Sequence, residues 1–146
     1  MAHVYEAGVA HTTGAAAGHV ATVVTTAAER VEIMEIGVFA TTAVAGEVGL
    51  GRPAAIGTGT TGGQLGVAMD SADVAATASL TGAFGTLQPT APTNIMRRIQ
   101  LPAVIGAGVV WTWNRGEFIV PVSANLCVWQ FSAAAVGYDC YVKWYE

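Results

Sequence analysis

No stretch of this chain sustains a helical repeat for more than about two turns with caps at both ends. Short runs of β-branched and aromatic residues are cut at fairly regular spacing by clusters of Gly, Pro, Thr and Asn. A chain punctuated this way has few options. It must bury one face of many short strands against another sheet, so the pattern predicts an antiparallel β-sandwich or barrel. The expected fold is all-β, a jelly-roll-like sandwich of about 8–10 strands. With 146 residues there is room for one domain with a real core. The division we expect is an N-terminal arm or first strands over residues 1–28 and a β-sandwich domain over residues 29–146.

Particular strands follow from alternation. Val20 to Val24 and Val31 to Phe39 are candidates near the start. Within the second, Val31 and Ile33 share one face and Met34, Ile36 and Val38 the other; that change of phase predicts a β-bulge. A short helix beginning near Glu29 is the alternative. Leu65, Val67 and Met69 alternate before Asp70, and Arg97, Ile99 and Leu101 alternate before Pro102 ends the run. Val109, Trp111 and Trp113 share a face. The turn Asn114-Arg115-Gly116 then predicts a hairpin with Glu117 to Val122. A second hairpin is expected between Leu126–Phe131 and Gly137–Glu146, in a register that sets Trp129 against Tyr138 and Cys127 against Cys140. Ser71 to Gly85 and Gln88 to Asn94 read as long loops.

Charge narrows the function. Only 11% of residues are charged and 53% are hydrophobic, with a net charge of −4. An ordinary soluble domain carries about 25% charged residues. So neutral an exterior is poorly protected against association, and its simplest explanation is that partner subunits cover part of it. The negative balance argues against nucleic acid, since Arg97-Arg98 is the only basic cluster. Ala7 to Ala28 and Phe118 to Tyr138 are uncharged but broken by polar residues, Gly or Pro. Neither reads as a membrane span, and Met1 to Val9 lacks the basic start of a signal peptide.

Catalytic and ligand motifs give little. Gly57-Thr58-Gly59-Thr60-Thr61-Gly62 has the spacing of a dinucleotide loop, but a strand pattern follows where a helix is needed. His3, His11 and His19 lie eight residues apart with nothing in the sequence to orient them together, so no metal site is expected. Asp70 and Asp73 read as turn or cap residues. No nucleophile elbow or Ser–His–acid set is present, and nothing pairs any two of Glu29, Glu32, Glu35 and Glu47. The chain is not expected to be an enzyme or to use a cofactor. Cys127 and Cys140 are either a cross-strand disulfide or, more simply, two reduced core thiols. Trp129 and Trp144 are expected in the core. Trp111 and Trp113 fit either the core or an exposed face that stacks on sugars. With Arg52, Arg97, Arg98 and Arg115 they form the set of candidate partner-contact residues, because arginine and tryptophan are enriched in interfaces.

From Val31 onward the chain also has a recognisable character. It is carried by VEIMEIGVF, GLGRPAAIGTGTTGG, RRIQLPAVIGAGVVWTW, GEFIVPVSANLCVWQF and YDCYVKWYE. In the order of these segments it resembles a group of small β-rich virion proteins of tailed bacteriophages. The resemblance implies a capsid decoration or cementing subunit on the virion exterior. Such a subunit binds the major capsid protein and itself, as a trimer or other small oligomer. It transfers no catalytic residue. The alternative is a tail or head-fibre adsorption component that binds host glycan, and a third reading is a free-standing β-sandwich binding module.

Overall fold

In a computed structural model, which describes residues 3–13, 17–60 and 63–146, the alternating runs settle into strands and no helix forms among the described residues. The first seven strands are β1 (Val4–Thr12), β2 (Gly18–Val24), β3 (Val31–Ala40), β4 (Gly46–Gly51), β5 (Thr58–Thr60), β6 (Gly63–Leu65) and β7 (Val67–Ala68). The rest are β8 (Ser79–Thr81), β9 (Phe84–Leu87), β10 (Ile95–Leu101), β11 (Gly108–Thr112), β12 (Ile119–Val120), β13 (Asn125–Gln130) and β14 (Gly137–Tyr145). Sheet A runs β11-β3-β14-β1-β7, with β12 also on β3; sheet B runs β10-β4-β13-β2-β8-β6; β5 and β9 make a small separate ribbon.

Eight strands are five residues or longer: β1, β2, β3, β4, β10, β11, β13 and β14. Among these eight, the first pairs with the last, the second with the seventh, the third with the sixth and the fourth with the fifth. This is a long antiparallel ribbon rolled into two facing sheets, the jelly-roll topology. The expected all-β sandwich is therefore what the chain forms. Its first strands are integral, because β1 sits between β14 and β7 and β2 between β13 and β8. Residues 4–12 and 18–24 thus form strands of the sandwich itself.

Rolling explains the two hairpins that alternation alone misplaced. β13 lies in sheet B and β14 in sheet A, so Cys127 stands beside Thr22 and Gly51 while Cys140 stands beside Val9 and Val38. The cysteines are free and buried. Alternation reports which face of a strand is inward, and in a sandwich two inward faces meet across the core as readily as along a ladder. Likewise β11 and β12 both pair antiparallel with β3, at Glu35–Phe39 and Val31–Glu32. They are one edge strand interrupted by the Asn114–Glu117 turn. Gly116 holds φ at +80° there, as the turn requires.

The predicted bulge in β3 is present. Lys143 opposes Glu35 and Trp144 opposes Ile33, which leaves Met34 as the extra residue. Val31, Ile33, Ile36 and Val38 can therefore all be buried, and a strand replaces the alternative helix near Glu29. The core joins them to Tyr5, Val48, Leu50, Leu126, Val128, Tyr138, Val142 and Trp144. Gln130 is wholly buried at one end of it, where its amide accepts from the Thr13 hydroxyl at 2.7 Å and donates to the Ser132 carbonyl at 2.8 Å. Trp129 is buried but outside that core, beside His19 and Gly49 on the other face of β13. Ser71–Gly85 is not one loop, since it contains β8 and the start of β9.

Candidate functional site

Three groupings of side chains stand out on this scaffold. The first gathers several of the predicted contact residues. β10 and β11 are edge strands of different sheets, and their side chains meet around Trp113. Trp111 is buried at 7% exposure, and Trp113 packs partly buried against the core with its ring 4.6 Å from Phe118. The Arg97 guanidinium lies 4.8 Å from the Trp113 ring centre and that of Arg52 lies 5.9 Å from Phe118. Arg52 also donates to the Ile119 carbonyl at 2.9 Å. Cation–π contacts at such exposure contribute about 0.5–1 kcal/mol each. Glu117 lies nearby. Its carboxylate accepts from Asn114, which holds its pKa below the usual carboxylate value, with a smaller contribution from Arg97.

The other two candidate arginines lie apart from this stack. Arg98 forms a two-pronged ion pair with Glu47 and lies 4.3 Å from the Phe131 ring centre. Arg115 reaches Glu32 at 3.5 Å and covers Tyr145 at 4.6 Å. Sequence reasoning singled out these four of the chain's five arginines as contact candidates. In the fold each already has an intramolecular partner, and Trp111 offers no exposed face.

The second grouping is apolar and was legible in the sequence only as alternation. Leu65, Val67 and Met69 are 59%, 70% and 58% exposed. They lie where the chain passes from sheet B (β6) to sheet A (β7). Gly66 makes that crossing possible: a Cβ there would meet Trp144 at 2.5 Å and Tyr5 at 2.8 Å. Pressed against these buried rings, the backbone turns its alternate side chains outward. With Glu6, Ala7, Gly8 and Gln64 they rim a shallow depression of about 490 Å³. β7 pairs with β1 over only two residues and forms the margin of sheet A.

The third grouping concerns the histidines. His3 pairs with Asp73 at 2.6 Å. Asp70 caps its turn by accepting from the Ala72 amide at 2.9 Å. His11 and His19 are brought together by the fold, with ring centres 5.7 Å apart. This corrects the expectation that nothing orients them. Burial and the neighbouring His11 push the His19 pKa down to about 3, and burial lowers that of His11. Among the described residues no group of three or more His, Cys, Asp or Glu side chains converges.

The remaining motifs lose their chemical reading. Thr58–Thr60 is strand β5, followed by strand β6, and no helix N-terminus follows it; Thr61 and Gly62 lie outside the described residues. Burial raises both thiol pKa values to about 12, so neither cysteine is a thiolate near neutrality. No protein-family model, no curated protein and no solved structure matches the chain.

Proposed function

We propose that this chain is a structural subunit of a bacteriophage virion. It decorates or cements the capsid exterior, binds the major capsid protein non-covalently and associates with copies of itself as a trimer or other small oligomer. The observation that carries this reading is the Leu65-Val67-Met69 ridge. Three large exposed apolar side chains where the chain crosses from one sheet to the other, on a chain with 11% charged residues, form a surface that calls for a cover. Two further points support it. The segments that resemble phage virion proteins overlap the long strands β3, β4, β10, β11, β13 and β14. The jelly roll is itself a scaffold used by viral capsid domains. The test is cosedimentation of the purified chain with shells of the major capsid protein of the same virus. Saturable binding at a fixed ratio to shell subunits is expected, and absence of binding at micromolar concentration refutes the reading.

A second reading, a tail or head-fibre component that binds host glycan, has one specific observation in its favour. Phe39 and Tyr141 lie nearly parallel on the outer face of sheet A, at 12° and 6.4 Å between ring centres. Each ring sits over a glycine of the neighbouring strand, Gly108 and Gly37 respectively. They flank a shallow pocket of about 320 Å³ that includes Asp139. Flat rings beside a carboxylate suit the apolar face and hydroxyls of a sugar. A glycan array with the parent and Tyr141→Ala chains separates the two readings: signal lost on substitution favours the second, and no signal removes it.

A further inference from the structure

Buried polar groups in folded chains almost always have partners, so one that lacks them marks either a cost or a ligand. His19 is 2% exposed, and neither of its ring nitrogens has a well-aligned hydrogen-bond partner. The Thr81 backbone lies close enough to oppose slightly the fall in its pKa, but burial and His11 dominate. Both histidines line a cavity of about 320 Å³, together with Thr12, Thr13, Gly18 and Gln88. The Gln88 amide is already oriented. Its Nε2 donates to the Phe84 carbonyl at 3.0 Å, which leaves Oε1 as the end open to a cation.

We propose that His11 and His19 bind a divalent transition-metal ion of the zinc, nickel or copper type, with the Gln88 side-chain oxygen and water completing its coordination. The spacing fits. Two imidazoles that ligate one tetrahedral ion at about 2.0–2.1 Å place their ring centres about 5 Å apart; these stand at 5.7 Å, within reach of a small rotation. Imidazole with amide oxygen and water is a donor set for zinc, nickel and copper and a poor one for calcium or magnesium. The site would tie the end of β1 to the start of β2, and so sheet A to sheet B. It stands independently of the virion reading, because it uses no surface assigned to a partner there.

The test uses the full chain, stripped by a chelator and dialysed. Zn²⁺ and Ni²⁺ are titrated by calorimetry and Co²⁺ by visible absorption. One ion per chain is expected, with Kd in the micromolar range. His11→Ala, at a half-buried position, should weaken binding by about 100-fold. His3→Ala should leave it unchanged, because His3 is held by Asp73 on another part of the surface. Since His19→Gln risks misfolding at a buried site, NMR of the imidazole nitrogens in the unmodified chain provides the second measurement. Zinc should shift the signals of His11 and His19 and spare His3. No ion bound below millimolar concentration, equal binding by the His11→Ala chain, or unmoved His19 nitrogens would each overturn the proposal.

Discussion

Replacing Leu65, Val67 and Met69 together by threonine removes apolar surface without disturbing the sandwich. Threonine keeps a β-branched or strand-compatible residue at each position, and none of the three contributes to the main core. The magnitude follows from exposure. Burying a whole Leu, Val or Met side chain is worth about 1.5–3 kcal/mol. At 59%, 70% and 58% exposure, the ridge has about three-fifths of that still to gain, or about 3–5 kcal/mol per copy if a neighbour covers it fully. The entropic cost of association is common to parent and variant and drops out of the difference. Self-association should therefore weaken by about 10²–10⁴-fold in Kd. Sedimentation velocity over a concentration series reads this directly, with thermal melting by circular dichroism as the fold control. The parent should sediment as a small oligomer at concentrations where the variant is monomeric, and the two melts should agree within a few degrees. Equal sedimentation of the two would refute the assignment of the ridge to self-association. A large drop in Tm would show that these side chains support the fold itself.

Other perturbations probe the scaffold. Gly66→Ala should destabilise by about 1–3 kcal/mol or more, because the new Cβ meets the buried Trp144 ring and Tyr5; urea unfolding checks this. Gly37→Ala should displace the Tyr141 ring and break its hydroxyl's 2.6 Å hydrogen bond to Glu35, which tyrosine fluorescence and a smaller loss of stability would report. The cysteines should resist alkylation in the folded chain and react only on unfolding, with equal mobility on reducing and non-reducing gels. Acid should destabilise the fold through His19. Its folded pKa of about 3 lies below its unfolded value near 6.5, so the unfolded chain binds the extra proton across that window. Stability should fall by up to about 1.4 kcal/mol per pH unit as pH drops from about 6.5 toward 3. In a His19→Gln chain that folds, this component of the pH dependence of Tm should vanish.

Local pattern made some features of this molecule readable and left others silent for a physical reason. The phase change at Met34 is a property of one strand, so sequence located the bulge. The turn at Gly116 was equally local, and its positive φ follows from residue type. Partner choice is not local. β13 and β14 are adjacent in sequence and present apolar faces, yet the rolled topology places them in opposite sheets. That separated Cys127 from Cys140 and turned one face of β13, with Trp129, away from the main core. Leu65, Val67 and Met69 alternate as a core-facing strand would. Only the close approach of Gly66 to Trp144 determines that their side chains point outward. The His11–His19 pair was invisible because the rolled sheets, not sequence spacing, bring the two rings together.

A cryo-electron microscopy reconstruction of the virion at side-chain resolution tests whether neighbours cover this chain. Repeated copies of the jelly roll are expected over the outer shell, each with Leu65, Val67 and Met69 buried against a second copy or the major capsid protein. Density for the chain confined to the tail or a single vertex, or shell-bound copies with that ridge open to solvent, would contradict this expectation.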